Sequence, residues 1–206
     1  MNQHNHARSD AAAVLEFWFG ARHGGVVNET MRRRWFAADT EFDQEVSSRF
    51  GELLVRAARG SLSHWLDDAH SCLAFIVVTD QFSRQIHRGR ADAFATDALA
   101  LAAARHGIEQ QFDRALSTDE RSFMYLPYEH SESLADQQTS VTMFTQLHDD
   151  APPALRRHCA ESLRYARAHH NIVRDFGRFP HRNGVLGRAS TDAELAFLRT
   201  ASSFGQ

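Results

Sequence analysis

Apolar residues recur at three- and four-residue intervals through most of this chain. The segments that carry them are punctuated by glycine, proline or a capping sequence, and no Asn-Gly hairpin or alternating strand series interrupts them. That pattern commits the chain to helices packed on helices. A first helix is expected from Ser9 or Asp10, anchored by Val14, Leu15, Phe17, Trp18 and Phe19 and ended by Gly20 and the Gly24-Gly25 pair. A short helix carrying Arg32, Arg33 and Arg34 is expected over Asn28–Phe36. A longer one runs from Thr40 to about Arg59, with Phe42, Val46, Phe50, Leu53 and Leu54 as its stripe. Ser71–Ile86 contains the apolar run Leu73–Val78. Its continuation through Asp80-Gln81-Phe82-Ser83-Arg84 keeps helical rather than strand period.

Further helices follow over Ala91–His106, closed by Gly107, and from the capping box Ser117-Thr118-Asp119-Glu120 to about Tyr125. Pro127 is read as a break. Ser131–Leu147, a long helix from Pro153 to about Phe176, a loop over Gly177–Ala189 and a final helix from Thr191 through Leu195, Leu198 and Phe204 complete the series. The expected fold is all-α, with about eight or nine antiparallel helices joined by short loops. Residues 1–8 are expected to form a flexible terminus and 9–206 a single all-α domain.

Two stretches depart from this amphipathic plan, Tyr125–Val141 and Asp175–Asn183. Each mixes carboxylates, histidine, arginine or amides with aromatics and a proline. Such groups are not buried without partners, so the two stretches are expected to meet around a pocket or a polar network. Asp80 and Arg84, acid first and four residues apart, read either as a local bridge or as the charged floor of that pocket. Glu129, His130, Glu132 and Asp136 crowd one helix end, which suits a raised carboxyl pKa, a divalent cation, or plain complementation of the helix dipole. His169 and His170 straddle the inner stripe of the long helix, where a satisfied core histidine is the ordinary outcome. Arg178, His181, Arg182 and Asn183 then fall within one short loop. They make an anion clamp or a latch onto the acidic helix end.

Composition narrows the chemistry. All 23 basic residues are arginine, so Schiff-base chemistry, lysine-bound pyridoxal phosphate and the P-loop lysine are excluded. The net charge of −3 gives no footprint for nucleic acid or anionic membrane. No apolar run approaches the roughly 20 residues that span a bilayer. The opening MNQHNHARSD lacks the apolar core of a signal peptide, and Cys72 and Cys159 read as buried thiols, so a cytoplasmic location is expected. There is no His-Glu-x-x-His, paired Cys-x-x-Cys, Gly-x-Ser-x-Gly or glycine-rich phosphate loop.

The same motifs resemble a bacterial family known as domain-of-unknown-function family 924. They are Val14–Gly20, Trp35-Phe36, Asp80–Arg84, Tyr125–Glu132, Asp136-Gln137 with Ser140-Val141, Phe176–Asn183 and Leu186–Thr191. The resemblance implies a tetratricopeptide-like right-handed array of helix pairs and implies no activity. Thr79, Gln85 and Tyr128 stand where the family pattern suggests leucine, asparagine and phenylalanine. Three functions are therefore open. One is a pocket for a small anionic or polar ligand, lined by Asp80, Arg84, Glu132, Arg178, His181, Arg182 and Asn183, with Glu129 or His130 as a general base. The second is a scaffold for a peptide or protein partner, its polar motifs being structural. The third is a carboxylate/histidine metal-dependent hydrolase.

Overall fold

The computed structural model describes residues 2–20, 27–35 and 37–200, the side chains of 2–9 excepted. Gly24, Gly25, Phe36 and Phe204, named above as helix stops or anchors, lie outside those residues. The regular structure of the described residues is all helical. Helices α1 (Asn2–Phe19), α2 (Glu29–Trp35) and α3 (Thr40–Ala58) come first, and α1 starts before Ser9. A rod follows in three parts: α4 (Ala69–Ile76), a π-helical turn over Val77–Phe82, and α5 (Ser83–Ile86). Then come α6 (Asp97–Glu109), α7 (Thr118–Glu129), α8 (Leu134–Asp149), α9 (Arg156–Phe176) and α10 (Asp192–Leu198). Counting the three-part rod once, the described residues form nine rods. Helices α6 to α9 pack each on the next in chain order, while α4 lies against α1, α6 and α7.

Local chemistry sets most helix starts. Asp39 caps α3 through Glu41 N and Phe42 N at 3.0 and 3.1 Å, so the cap is Asp39 and Thr40 is already helical. Asp68 caps α4 through His70 N and Ser71 N. Both expected capping boxes form, Ser117 with Glu120 and Thr191 with Glu194. At the far end of α9, Gly177 takes the left-handed conformation (φ +69) and turns the chain into the loop.

Two punctuation marks were misleading. Gly107 does not close α6, which runs on to Glu109. A Cβ at Gly107 would sit 3.2 Å from Met124 Cε and 3.5 Å from Cys72 Sγ, so the glycine permits close approach of α6 to α4 and α7. Pro127 does not break α7 either. It removes one N–H from the helix, but Leu126, Tyr128 and Glu129 around it are all buried, and that packing carries the helix through. The core centres on aromatics packed both stacked and edge-on. Trp18 meets Trp35, Phe42, Phe82 and Phe123, and Trp35 donates its indole N–H to Trp18 O at 2.7 Å.

The three-part rod has no solvent face over its middle, since every residue from Ser71 to Ser83 is buried. Within its wide π turn side-chain donors land on backbone carbonyls. Thr79 Oγ1 donates to Phe75 O at 2.8 Å, Thr96 Oγ1 to Thr79 O at 2.5 Å, and Arg84 Nη1 to Asp80 O at 2.8 Å. Single-turn π segments recur at functional sites, and this one presents Asp80.

Candidate functional site

Asp80 is 1% exposed and its carboxylate is fully engaged. Oδ1 receives His130 Nδ1 at 2.8 Å and Arg84 Nη1 at 3.1 Å, and Oδ2 receives Gln81 Nε2 at 2.5 Å. Burial alone would raise this carboxyl, but the charge of Arg84 and the contacts of His130 and Gln81 hold it well below the usual carboxylate range. An ionised Asp80 can only accept, so the proton of neutral His130 sits on Nδ1. Burial lowers the His130 pKa even against the pull of Asp80. The imidazole is therefore neutral near pH 7, held in one tautomer, with its Nε2 lone pair bound to no group among the described residues.

Glu129 precedes His130 at the end of α7 and is 4% exposed. Burial, then the negative charge of Asp80, pushes its carboxyl up to about 8, so it holds its proton at neutral pH. Its Oε1 lies 3.2 Å from His169 Nδ1 on α9. His169 also stands 2.9 Å from Tyr165 O, an acceptor only, which places a proton on Nδ1; burial lowers this imidazole to about 3. The backbone that presents Glu129 and His130 is itself fixed. Gln137, wholly buried in α8, donates Nε2 to Glu129 O at 2.6 Å and to Ser131 O at 2.7 Å. Those bonds satisfy carbonyls left over at the helix end.

Arginines close the other side. Arg84 forks onto Asp97 at 2.9 and 3.1 Å. Arg182, from the short 3-10 turn Pro180–Arg182, reaches the same Asp97 at 3.4 Å and stacks over the rings of Phe94 and Phe179 at 4.6 and 4.5 Å. Two guanidiniums thus face two carboxylates, Asp80 and Asp97, beside a neutral Glu129. His181 is held neutral by burial and by Arg182, at about 4. The two polar stretches do meet: Glu132 accepts Phe179 N at 2.8 Å, and its carboxylate takes a fork from Arg188 at 2.7 and 2.9 Å.

The structure therefore gathers Asp80, Arg84, Glu129, His130, His181 and Arg182, and reassigns the rest. Arg178 turns outward onto Glu194 at 2.6 and 2.8 Å and onto Ala189 O, because the capping box of α10 puts a carboxylate within its reach. Asn183 is buried but organises its own loop, through Ser190 Oγ at 3.0 Å and Arg188 Nε at 3.0 Å. Glu132 latches that loop. Asp136 is spent on Arg105 and Ser131, at 2.6 and 2.7 Å. The crowded acids thus diverge to separate donors, and among the described residues no three His, Cys, Asp or Glu side chains converge as a metal site. Sequence reasoning passed over Asp97, which fell inside the expected helix Ala91–His106 but opens α6 in the structure, and Arg188, whose motif was visible but whose partner was not. Asp119, read only as part of a capping box, is fully enclosed in α7 and forked by Arg32 at 3.1 and 2.7 Å.

An all-α domain built round a buried network of ion pairs is the class that fold and site define. The chain belongs to the family described as bacterial protein of unknown function (DUF924), whose model matches residues 14–202. It is also similar to a solved structure of a protein of unknown function from Agrobacterium tumefaciens. That likeness runs at 35% identity over 95% of this chain and 99% of the other, with a TM-score of 0.81. No curated protein matches this chain. Among the described residues no helix is long and apolar enough to cross a membrane.

Proposed function

We propose that this domain is an enzyme acting on a small polar molecule, and that it moves protons at the Asp80–His130–Glu129 network. His130 takes a proton at Nε2 and Glu129 supplies one, so the base role falls to the imidazole and the carboxyl serves as acid. The 2.8 Å contact between His130 Nδ1 and Asp80 carries this reading, because it fixes the tautomer that a base requires. The opposite protonation preferences of Glu129 and His130 support it, since neighbouring groups with pKa values pushed apart make an acid/base pair.

The test is turnover on a panel of small esters, amides and phosphomonoesters, with His130→Gln and Glu129→Gln compared at equal folding. Loss of turnover in both variants is expected. Turnover indifferent to both would remove the reading, as would a 15N spectrum placing the His130 proton on Nε2.

A second reading keeps the tetratricopeptide-like array as a scaffold for a peptide or protein. It is supported by a groove of about 700 Å³ lined by Ala11, Leu15, Glu16, Asp68 and His70, remote from the network. On that reading a Leu15→Arg change would abolish partner capture, while His130→Gln would leave it intact.

A further inference from the structure

An arginine carries five N–H donors and no acceptor, so a buried guanidinium calls for oxygens around its rim. Nε–H and Nη2 share one edge, which matches two oxygens of a carboxylate or phosphate side by side. In three other arginines a protein carboxylate fills that edge. Asp119 occupies it in Arg32, Asp43 in Arg88 and Glu194 in Arg178. In Arg188 the Nε donates to Asn183 Oδ1 instead.

Arg84 and Arg182 differ. Arg84 meets Asp97 end-on through Nη1 and Nη2, and its Nε is enclosed with no acceptor. Arg182 is 5% exposed, its contact to Asp97 runs through Nη1 alone, and its Nε is likewise enclosed with no acceptor. The two guanidiniums are neighbours, joined by Asp97 and both set against the ring of Phe94, at 5.7 and 4.6 Å. Arg182, the arginine most deeply placed among these ion pairs, is thus one whose recognition edge is unfilled, and its neighbour Arg84 is another.

We propose that the ligand of this site carries a carboxylate or phosphate group, and that this oxyanion docks on the Nε/Nη2 edge of Arg182 with Arg84 beside it. The inference rests on the network being a ligand site and adds the class of ligand. Asp97 keeps both edges in place by holding the guanidiniums from their other sides. Phe94 and Phe179 supply low-dielectric walls that strengthen each N–H···O contact. Burial and the charge of Arg84 already pull Arg182 down to about 10, and an added anion relieves that penalty.

The experiment follows the arginine Nε–H signals of 15N-labelled wild-type protein, assigned through their own side-chain carbons. Inorganic phosphate and sodium acetate are titrated separately at constant ionic strength, with sodium chloride as control. A saturable shift of the Arg182 Nε–H with either anion and none with chloride is expected, and the tighter of the two identifies the group. Arg182→Lys should weaken that anion at least tenfold, about 1.4 kcal/mol, while Arg178→Lys leaves it unchanged. An Arg182 Nε–H unmoved by both anions overturns the proposal, and since this is read on wild-type protein it stands even where a variant fails to fold. Anion binding in a protein with no turnover on any substrate sinks the proton-transfer reading and leaves this one. Turnover on neutral substrates with a silent Nε–H does the reverse.

Discussion

Replacing Glu129 by glutamine should stabilise the protein at neutral pH. The carboxyl is enclosed, faces His169 Nδ1 at 3.2 Å and keeps its proton up to about pH 8 in the fold. In the unfolded chain it ionises near the ordinary 4.5. Between those two values the folded state holds a proton that the unfolded state has released. Stability therefore falls as pH rises, by about 1.4 kcal/mol for each pH unit. From about pH 5 to about pH 7 the wild-type protein should lose about 2–3 kcal/mol to this one group. Glutamine keeps the shape of the protonated acid, offers an amide oxygen to His169 and has nothing to ionise. Glu129→Gln should therefore match wild type near pH 5 and exceed it by about 2–3 kcal/mol near pH 7.

Urea unfolding of both proteins at the two pH values is the assay. His169 and His181, lowered to about 3 and 4, bind fewer protons folded than unfolded, so they add stability as pH rises towards 6.5. That slope belongs to both proteins and cancels in the difference. Parallel pH profiles for the two would refute the reasoning, because Glu129 would then be ionised in the fold like any surface acid. A variant less stable than wild type near pH 7 would refute it equally.

Arg84→Ala removes a guanidinium from both Asp80 and Asp97 and should cost about 3–5 kcal/mol in urea unfolding; a loss below about 1 kcal/mol would mean that water already screens the pair. Arg188→Ala frees Glu132 and Phe179 O together and should cost about 1–3 kcal/mol, with faster amide exchange confined to the 177–191 loop; uniform exchange across the chain would disprove the latch. Cys72, buried and raised to about 12, should resist thiol reagents in native protein and react on unfolding, so rapid native labelling at that residue would contradict its packing against α6.

The helices were legible because their evidence is local. The stripe of Phe42, Val46, Phe50, Leu53 and Leu54 runs along the chain, and all five residues are buried in α3. The boxes at Ser117 and Thr191 need only the next three residues. Asp80 and Arg84 were readable as a pair for the same reason, since one turn of one rod brings them together. Pro127 and Gly107 were misread because their local preference is real but small beside what surrounds them. A missing hydrogen bond in α7 is outweighed by the burial of Leu126 and Tyr128, and a glycine inside α6 is kept by the nearness of Met124.

The site divides in the same way. That acids from the middle of the chain would meet guanidiniums from its tail followed from how costly such groups are when enclosed alone. Which guanidinium meets which acid did not follow. Arg178, Arg182 and Arg188 are chemically identical and lie within one loop, yet they go to Glu194, Asp97 and Glu132 respectively.

On its own, then, the sequence determined the all-α class, most helix starts and the need for polar groups to converge, all of which depend on neighbours a few residues apart. Only the tertiary structure decided the partners. It buried Glu129 beside Asp80 and so kept its carboxyl protonated at neutral pH, and it left the edges of Arg84 and Arg182 unfilled. The physical reason is that a side chain's protonation and pairing depend on the dielectric and charges around it, and residues far away in the chain supply those.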